Sequence, residues 1–184
     1  MRVIAGKFKG TKLIAFDEEN IRPTLDKVRE AIFSKIQMEI KDSSFLDLFA
    51  GTGAVSIEAV SRGANPVITC DADRRSEKVI KQNFEKVKSS PNLILSDYNK
   101  ALLTFYKGKR KFDFIFLDPP FGKGFGIKAI SKIDELDLLN PNGMIMFEHS
   151  LEEKFDYSNL SKLQLVDEKK YGTVVVTYLV RAGE

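Results

Sequence analysis

Asp118-Pro119-Pro120-Phe121 is the segment of this sequence whose residue types and order could most directly do chemistry. A carboxylate and the carbonyl of a proline held in a stiff imino-acid pair are two fixed acceptors, able to bind both hydrogens of an NH2 group. An exocyclic amine on a nucleobase is a poor nucleophile because its lone pair is delocalised into the ring. Acceptors that hold such a nitrogen in line with a methyl group, and stabilise charge as it develops, meet that difficulty. Phe121 adds a flat face on which an extruded base can stack. The loop that follows, Gly122-Lys123-Gly124-Phe125-Gly126, has the glycine content to fold over a substrate. The plain alternative for the tetrapeptide is a strand terminator with an aromatic plug.

A second group of residues, Asp47-Leu48-Phe49-Ala50-Gly51-Thr52-Gly53, has the form of a strand that turns tightly into a helix. Gly51 and Gly53 let a backbone turn lie close to a ligand, and Ala50 keeps the turn small. Asp71-Ala72 ends the next apolar run, where a carboxylate can accept from ribose hydroxyls. Asp97 ends the third, where it can accept from an adenine amine, cap the following helix, or do both. A dinucleotide is the rival ligand for such a turn. Its pyrophosphate wants a helix N-terminus free of anions, and Asp47 would repel it. The third glycine of the dinucleotide fingerprint is also missing from Gly-Thr-Gly-Ala-Val-Ser. A sulfonium ligand with an amino group, S-adenosylmethionine, suits Asp47 better.

These residues need a scaffold that brings strand ends together. From Ser44 onward, short apolar runs (FLDLF, PVITCD, NLILS, FDFIFLD, MIMFEH) alternate with amphipathic stretches at 55–62, 74–88, 98–106 and 127–138. Such alternation predicts a parallel sheet covered by helices on both faces. The closing segment KLQLVDEKKYGTVVVTYLV reads as an antiparallel hairpin turning at Tyr171-Gly172 on the sheet edge. The expected fold is therefore α/β and Rossmann-like, with a mixed, mostly parallel seven-stranded sheet. Ahead of it, residues 1–42 read as an extension: two short strands (RVIA and TKLIAF) about a turn from Gly6 to Gly10, then a helix from a Thr24 cap to about Ile40. Residues 43–184 form the expected main domain.

Taken together, these residues resemble the RsmD-type 16S ribosomal RNA guanine-N2 methyltransferases, which are class I S-adenosylmethionine-dependent enzymes. The likeness runs from MRVIAGKFKGTKL through Arg22-Pro23-Thr24, with Asp26, Val28, Arg29, Glu30, Ala31 and Phe33, to LDLFAGTGAVSIEAVSRGA and IFLDPPF. It implies S-adenosylmethionine as donor and a guanine of 16S rRNA, within a small ribosomal subunit or its assembly intermediate, as acceptor. It implies that Asp47, Gly51 and Gly53 hold the methionine part, Asp71 the ribose and Asp97 the adenine, with Phe49, Ala50 and Ala72 also among the cofactor-binding residues. Asp118, Pro119, Pro120 and Phe121 would form the reaction site, and Thr24 and Arg22 would lie near the cofactor or the RNA. Four positions depart from the pattern: Asp71 for Glu, Phe121 for Tyr, Thr11 for a basic residue, and Ser56 for Gly in the first helix.

Composition sets outer limits. The chain has 184 residues, 29 Lys+Arg against 26 Asp+Glu and a net charge of +3, a balance that permits a nucleic-acid partner without demanding one. Arg2, Lys7, Lys9 and Lys12 precede any acid and sit beside Phe8, a pattern suited to tracking a phosphate backbone. A second cluster, Lys107, Lys109, Arg110 and Lys111, reads as solvated surface. One cysteine and one histidine leave no internal disulfide, no structural zinc site and little room for Ser-His chemistry. No metal is expected. No apolar run approaches a membrane span, and the lysine-bearing start does not read as a secretion signal, so a cytoplasmic location and a monomer are the default expectations. Cys70 reads as a buried strand residue and His149 as a structural hydrogen-bonding group. The rival functions are a DNA adenine-N6 methyltransferase, a non-catalytic RNA-binding ribosome-assembly factor, and a nucleotide-dependent oxidoreductase, which leaves the Pro-Pro unit without a job.

Overall fold

The computed structural model describes residues 1–16 and 26–182. Seven strands form one sheet: β1 (Phe45–Asp47), β2 (Val67–Asp71), β3 (Leu93–Leu95), β4 (Phe112–Leu117), β5 (Leu139–Ser150), β6 (Leu163–Tyr171) and β7 (Val174–Arg181). Their spatial order is β3-β2-β1-β4-β5-β7-β6. The first five run parallel, and β7 pairs antiparallel with both β5 and β6. This is the doubly wound, mostly parallel Rossmann-like sheet that the alternating pattern predicts.

Side-chain alternation along the strands builds two cores. Leu46, Ile68, Ile115, Leu117, Ile145 and Phe147 point to one face and meet α4 (Tyr98–Lys107) and α5 (Phe125–Leu136) through Leu102, Phe105, Ile130 and Ile133. Phe45, Phe114, Phe116 and Met146 point to the other and meet α1 (Asp26–Lys35) and α2 (Ala54–Ser61) through Val28, Ile32, Phe33, Val55 and Ala59. A third cluster packs α3 (Arg74–Lys86) on α2 through Ile80, Phe84 and Ile57.

Three differences from the sequence reading have physical reasons. The N-terminal segment is not a pair of strands: it makes a single bridge, Arg2 with Lys12. Hairpin bonds still join its two arms around that bridge (Val3 N–H to Thr11 O, 3.0 Å; Gly10 N–H to Val3 O, 2.9 Å; Leu13 N–H to Met1 O, 3.1 Å), and beyond them the backbone is satisfied by side chains of α2 and α3. The buried Glu58 carboxylate accepts from the N–H groups of Ile4 (2.8 Å) and Ala5 (3.0 Å), Ser61 Oγ from that of Phe8 (2.9 Å), and Asn83 Oδ1 from that of Ile14 (2.7 Å). Helix α1 ends at Lys35 rather than near Ile40. Turns then carry Ile36 and Ile40 into the core, and Asp42, at φ 60°, swings the chain toward β1. Strand β5 begins at Leu139, five residues before MIMFEH, and Asn140 there donates to Asp113 Oδ1 (2.8 Å). The expected Thr24 cap lies outside the described residues.

Candidate active site

The strand order reverses between β1 and β4, and in open α/β sheets the crevice beyond the strand ends at such a point is where ligands bind. A cavity of about 830 Å3 occupies it, within the size range of small-molecule sites. The ends of all four strands β1 to β4 contribute to its wall through Asp47, Asp71, Asp97 and Asp118.

Asp47 is 1% exposed. Its Oδ2 accepts from the backbone N–H (3.1 Å) and the hydroxyl (2.7 Å) of Ser56 on α2. Thr69 Oγ1 in turn donates to Ser56 Oγ (2.9 Å). The other oxygen, Oδ1, is buried without a hydrogen-bond partner. Burial pushes this carboxyl up to about 7, against the lowering effect of the Ser56 bonds and with a further push from Asp71. A buried acceptor left open beside a ligand-sized cavity is a place for a donor that the ligand brings, and an ammonium would both fill it and restore the ionised form. The departure at position 56 thus acquires a role: a glycine there could offer only its N–H.

Asp71 does two things at the end of β2. Its Oδ2 accepts from the Gly51 N–H (2.7 Å) and its Oδ1 from the Asp73 N–H (2.8 Å), so it ties the glycine turn to the second strand. Burial raises its pKa, against the bonds from Asp73, Gly51 and Ser76. A carboxylate has about four acceptor positions, so lone pairs remain for hydroxyl donors. Gly51 stands on the cavity wall at φ 55°, with Ala50 and Ala72 beside it. Gly53 is not on that wall. It starts α2 at φ 76°, where an added Cβ would come within 3.2 Å of Ile80, so its work is the turn and the packing behind it.

Beyond β3, Asp97 caps α4 by accepting from the Lys100 N–H (3.0 Å) and still faces the cavity. Phe49 and Tyr98 pack with ring centroids 5.6 Å apart, and Tyr98 with Phe125 at 5.8 Å, giving the cavity an aromatic side. Phe49 was expected at the site; Tyr98 and Phe125 were not. The only trace of them in the sequence is an aromatic at each of two helix starts.

The segment from Asp118 to Phe121 closes the other end. Leu117 is in register with Phe147 of β5, which fixes where Asp118 emerges. Asp118, Pro119, Pro120 and Phe121 all line the cavity. Pro119 is buried, Asp118 and Phe121 half-buried, and Pro120 exposed. Glu153, which the sequence reading passed over, binds the loop beyond them: its Oε1 accepts from the Gly122 N–H (2.9 Å) and its Oε2 from the Ser150 N–H (3.2 Å). No local pattern marks it, because the bond spans the return from β5.

Arg2, Lys7, Lys9 and Lys12 are exposed, and Lys7 Nζ lies 5.4 Å from the Phe8 ring centroid. Met1 and Phe16, at the two ends of the same segment, stand on the cavity wall, so the basic segment borders the cleft. Arg22 and Thr24 lie outside the described residues. Cys70 is buried, and burial, with help from Asp71, Asp47 and Asp97, pushes its thiol up to about 12, the opposite of a reactive cysteine. The His149 ring bonds Ser150 O and Thr177 Oγ1, both at 2.9 Å. Among the described residues there is no cluster of three or more His, Cys, Asp or Glu that could hold a metal ion, and no helix is long and apolar enough to cross a membrane.

Residues 1–180 match the family described as conserved hypothetical protein 95. The ribosomal RNA small subunit methyltransferase D of Haemophilus influenzae is 36% identical over 80% of this chain and 78% of its own. The YlbH protein of Bacillus subtilis is 35% identical over the whole of both chains. Among solved structures, the yhhF protein of Escherichia coli superposes with a TM-score of 0.84 at 27% identity, covering 98% of this chain and 97% of that one.

Proposed function

The chain belongs to the family described as conserved hypothetical protein 95, and from that premise we propose that it methylates the exocyclic N2 amine of a guanine in 16S ribosomal RNA, with S-adenosylmethionine as donor. One observation carries this reading. A single cavity has the buried, half-satisfied Asp47 and the Asp71 turn at one end and Asp118-Pro119-Pro120-Phe121 at the other. Had the two groups faced separate hollows, no transfer between their ligands would be possible.

The residues present suit the donor. The open Asp47 oxygen fits its amino group, the remaining lone pairs of Asp71 its ribose hydroxyls, and Asp97 with Tyr98 its adenine. Phe49, Ala50, Gly51 and Ala72 supply the close wall, and Gly53 the bend behind it. When bound, S-adenosylmethionine supplies an electrophilic methyl group carried on a sulfonium. The rest of the work belongs to the protein. Asp118 and the Pro119 carbonyl accept from the two amine hydrogens, orienting the nitrogen toward the cofactor end of the cavity. As the nitrogen gains positive character, the Asp118 carboxylate stabilises it and takes the proton released on transfer. Pro120 keeps the Pro119 carbonyl aimed, and Phe121 stacks on the base. No covalent enzyme intermediate is involved.

The RNA-facing part is the extension 1–42, where Arg2, Lys7, Lys9 and Lys12 stand exposed beside the cleft and Arg22 follows in sequence. Residues 43–184 are the methyltransferase domain. The substrate is a cytoplasmic small ribosomal subunit or its assembly intermediate, bound by a monomer. Nucleoside mass spectrometry of 16S rRNA from a strain lacking the protein tests the reading. Loss of one N2-methylguanosine, restored by adding the purified protein and S-adenosylmethionine to the isolated subunits, is the expected result. Intact rRNA modification with loss of N6-methyladenine from DNA would overturn the choice of base and polymer. Intact modification of both would leave a binding factor in place of an enzyme.

A further inference from the structure

Among the described residues that wall the cavity, five carry carboxylates (Asp47, Asp71, Asp73, Asp97 and Asp118) and one, Lys123, carries a side-chain cation. That balance suits a cationic donor and is hostile to a nucleotide. A base cannot enter the cleft without bringing its own phosphodiester to the mouth, into the field of those carboxylates. Lys123 stands at that mouth. It follows Phe121 by two residues, is exposed, and lies between Gly122 at φ 72° and Gly124 at φ 64°. A Cβ added at either glycine would meet no atom within 4 Å, so the loop stands clear of the body of the protein.

A loop so open needs an anchor if its lysine is to point anywhere in particular. Glu153 provides one, with one oxygen on the Gly122 N–H and the other on the Ser150 N–H at the end of β5. Two residues on, Phe155 packs against Phe147 (5.2 Å) and His149 (5.0 Å), which roots Glu153 in the sheet. We propose that Lys123 binds the phosphodiester flanking the extruded nucleotide, and that Glu153 is a positioning residue which holds Lys123 over the cleft. The inference rests on the RNA-methyltransferase reading and adds to it the group that admits a polyanion to an acidic site.

The test is steady-state methylation of small ribosomal subunits from a strain lacking the protein, by the full chain and by Lys123→Gln, Lys123→Arg and Glu153→Ala. Lys123→Gln should raise KM for the subunits about tenfold, leave kcat within about twofold, and lower the slope of log KM against log salt by about 0.7, the share of one phosphate contact on a single strand. Its affinity for S-adenosylhomocysteine should not change. Lys123→Arg should restore most of the KM. Glu153→Ala should shift KM in the same direction by about threefold and lower the salt slope by less than Lys123→Gln does, since it loosens the phosphate contact without removing its cation. An unchanged KM and salt slope in Lys123→Gln would overturn the assignment while leaving the activity in place. Absence of methyl transfer by the wild type would overturn the functional reading, and this inference with it.

Discussion

The two ends of the sheet carry aspartates and treat them in opposite ways. At the amino end, Asp113 accepts from Ser44 N (2.8 Å), Ser44 Oγ (2.7 Å) and Asn140 Nδ2 (2.8 Å). Asp134, near the end of α5, accepts from Ser161 N and Oγ, Lys162 N and Leu163 N, all between 2.7 and 3.0 Å. Burial works against ionisation in both, yet the donors prevail and hold both carboxyls below their ordinary value. At the carboxyl end Asp97, bonded to the Lys100 N–H, is also held low, but at Asp47 and Asp71 the outcome reverses. Asp47 keeps one oxygen unpartnered and burial pushes it up to about 7, while Asp71 also rises. A saturated carboxylate is a fastener that ties elements together. An unsaturated one is a socket, and its cost to the empty protein is recovered when a ligand fills it.

The largest effect that should separate the ends is on turnover. Asp118→Ala should lower kcat by roughly a thousandfold or more, the size expected for removing the group that holds and stabilises the reacting nitrogen. Affinity for S-adenosylhomocysteine, measured by calorimetry, should stay within about twofold. A parallel loss of both would move Asp118 from the acceptor end of the cavity to the donor end.

Next comes the amino end, where the loss should be of stability. Asp134→Ala strips acceptors from three backbone N–H groups at the start of β6 and should cost about 3 kcal/mol. For a chain of this size that is a fall of roughly 10 °C in the thermal midpoint. Activity per folded molecule, assayed well below that midpoint, should be retained. A specific loss of kcat would erase the distinction between the two ends.

Asp47→Asn should show the trade at a single residue. The amide oxygen can accept both Ser56 donors, so the fold around α2 is preserved. Affinity for S-adenosylhomocysteine should fall by about a hundredfold as the charge opposite its ammonium disappears. Stability of the ligand-free protein should rise at pH 8. The carboxyl, at 3.8 in the unfolded chain and about 7 when folded, is ionised in both states at that pH, and the folded state bears an electrostatic cost of at most about 4 kcal/mol. At pH 4 and below the folded carboxyl is already neutral and the gain should vanish, which urea titrations at the two pH values can read.

Much of this arrangement could be read from residue order, because parallel α/β folds place ligand chemistry where strands end and strand ends are easy to see. Asp47, Asp71, Asp97 and Asp118 each close an apolar run, and each stands on the cavity. What escaped were contacts that no local pattern encodes. The N-terminal segment forms the expected hairpin only around Arg2 and Lys12, where Val3 bonds Thr11 and Leu13 bonds Met1. The N–H groups of Ile4, Ala5, Phe8 and Ile14 go instead to Glu58, Ser61 and Asn83, more than fifty residues away. Gly53 looked like a ligand contact because it shares a motif with Gly51, yet Ile80 stands against it. Ser56 looked like a lapse from a pattern until its hydroxyl was found on Asp47. Glu153 sits in a loop of ordinary polar composition and matters only because β5 brings it back beside Gly122.

The smallest effect is also the most selective, since it should appear at one end of the sheet alone. On the proposed assignment Asp47 pairs with the ammonium of the donor only when ionised, and below about pH 7 the empty protein holds it protonated. The ionised fraction climbs from about one-tenth at pH 6 to about nine-tenths at pH 8, so affinity for S-adenosylhomocysteine should tighten about tenfold across that interval. Asp47→Asn should flatten the profile. The amino end should be indifferent over the same range: Asp113 and Asp134 have depressed values, so the stability they contribute is complete above their ordinary 3.8 and is lost only as pH falls through the lower folded values. Calorimetric affinity of the wild type and the urea midpoint of Asp47→Asn, which lacks the group that would itself move the midpoint, should therefore diverge from pH 6 to 8, the first moving by an order of magnitude while the stability owed to Asp113 and Asp134 stays level. If the affinity profile is flat in the wild type, the open oxygen of Asp47 does not meet a charged group, and the socket belongs to some other part of the ligand.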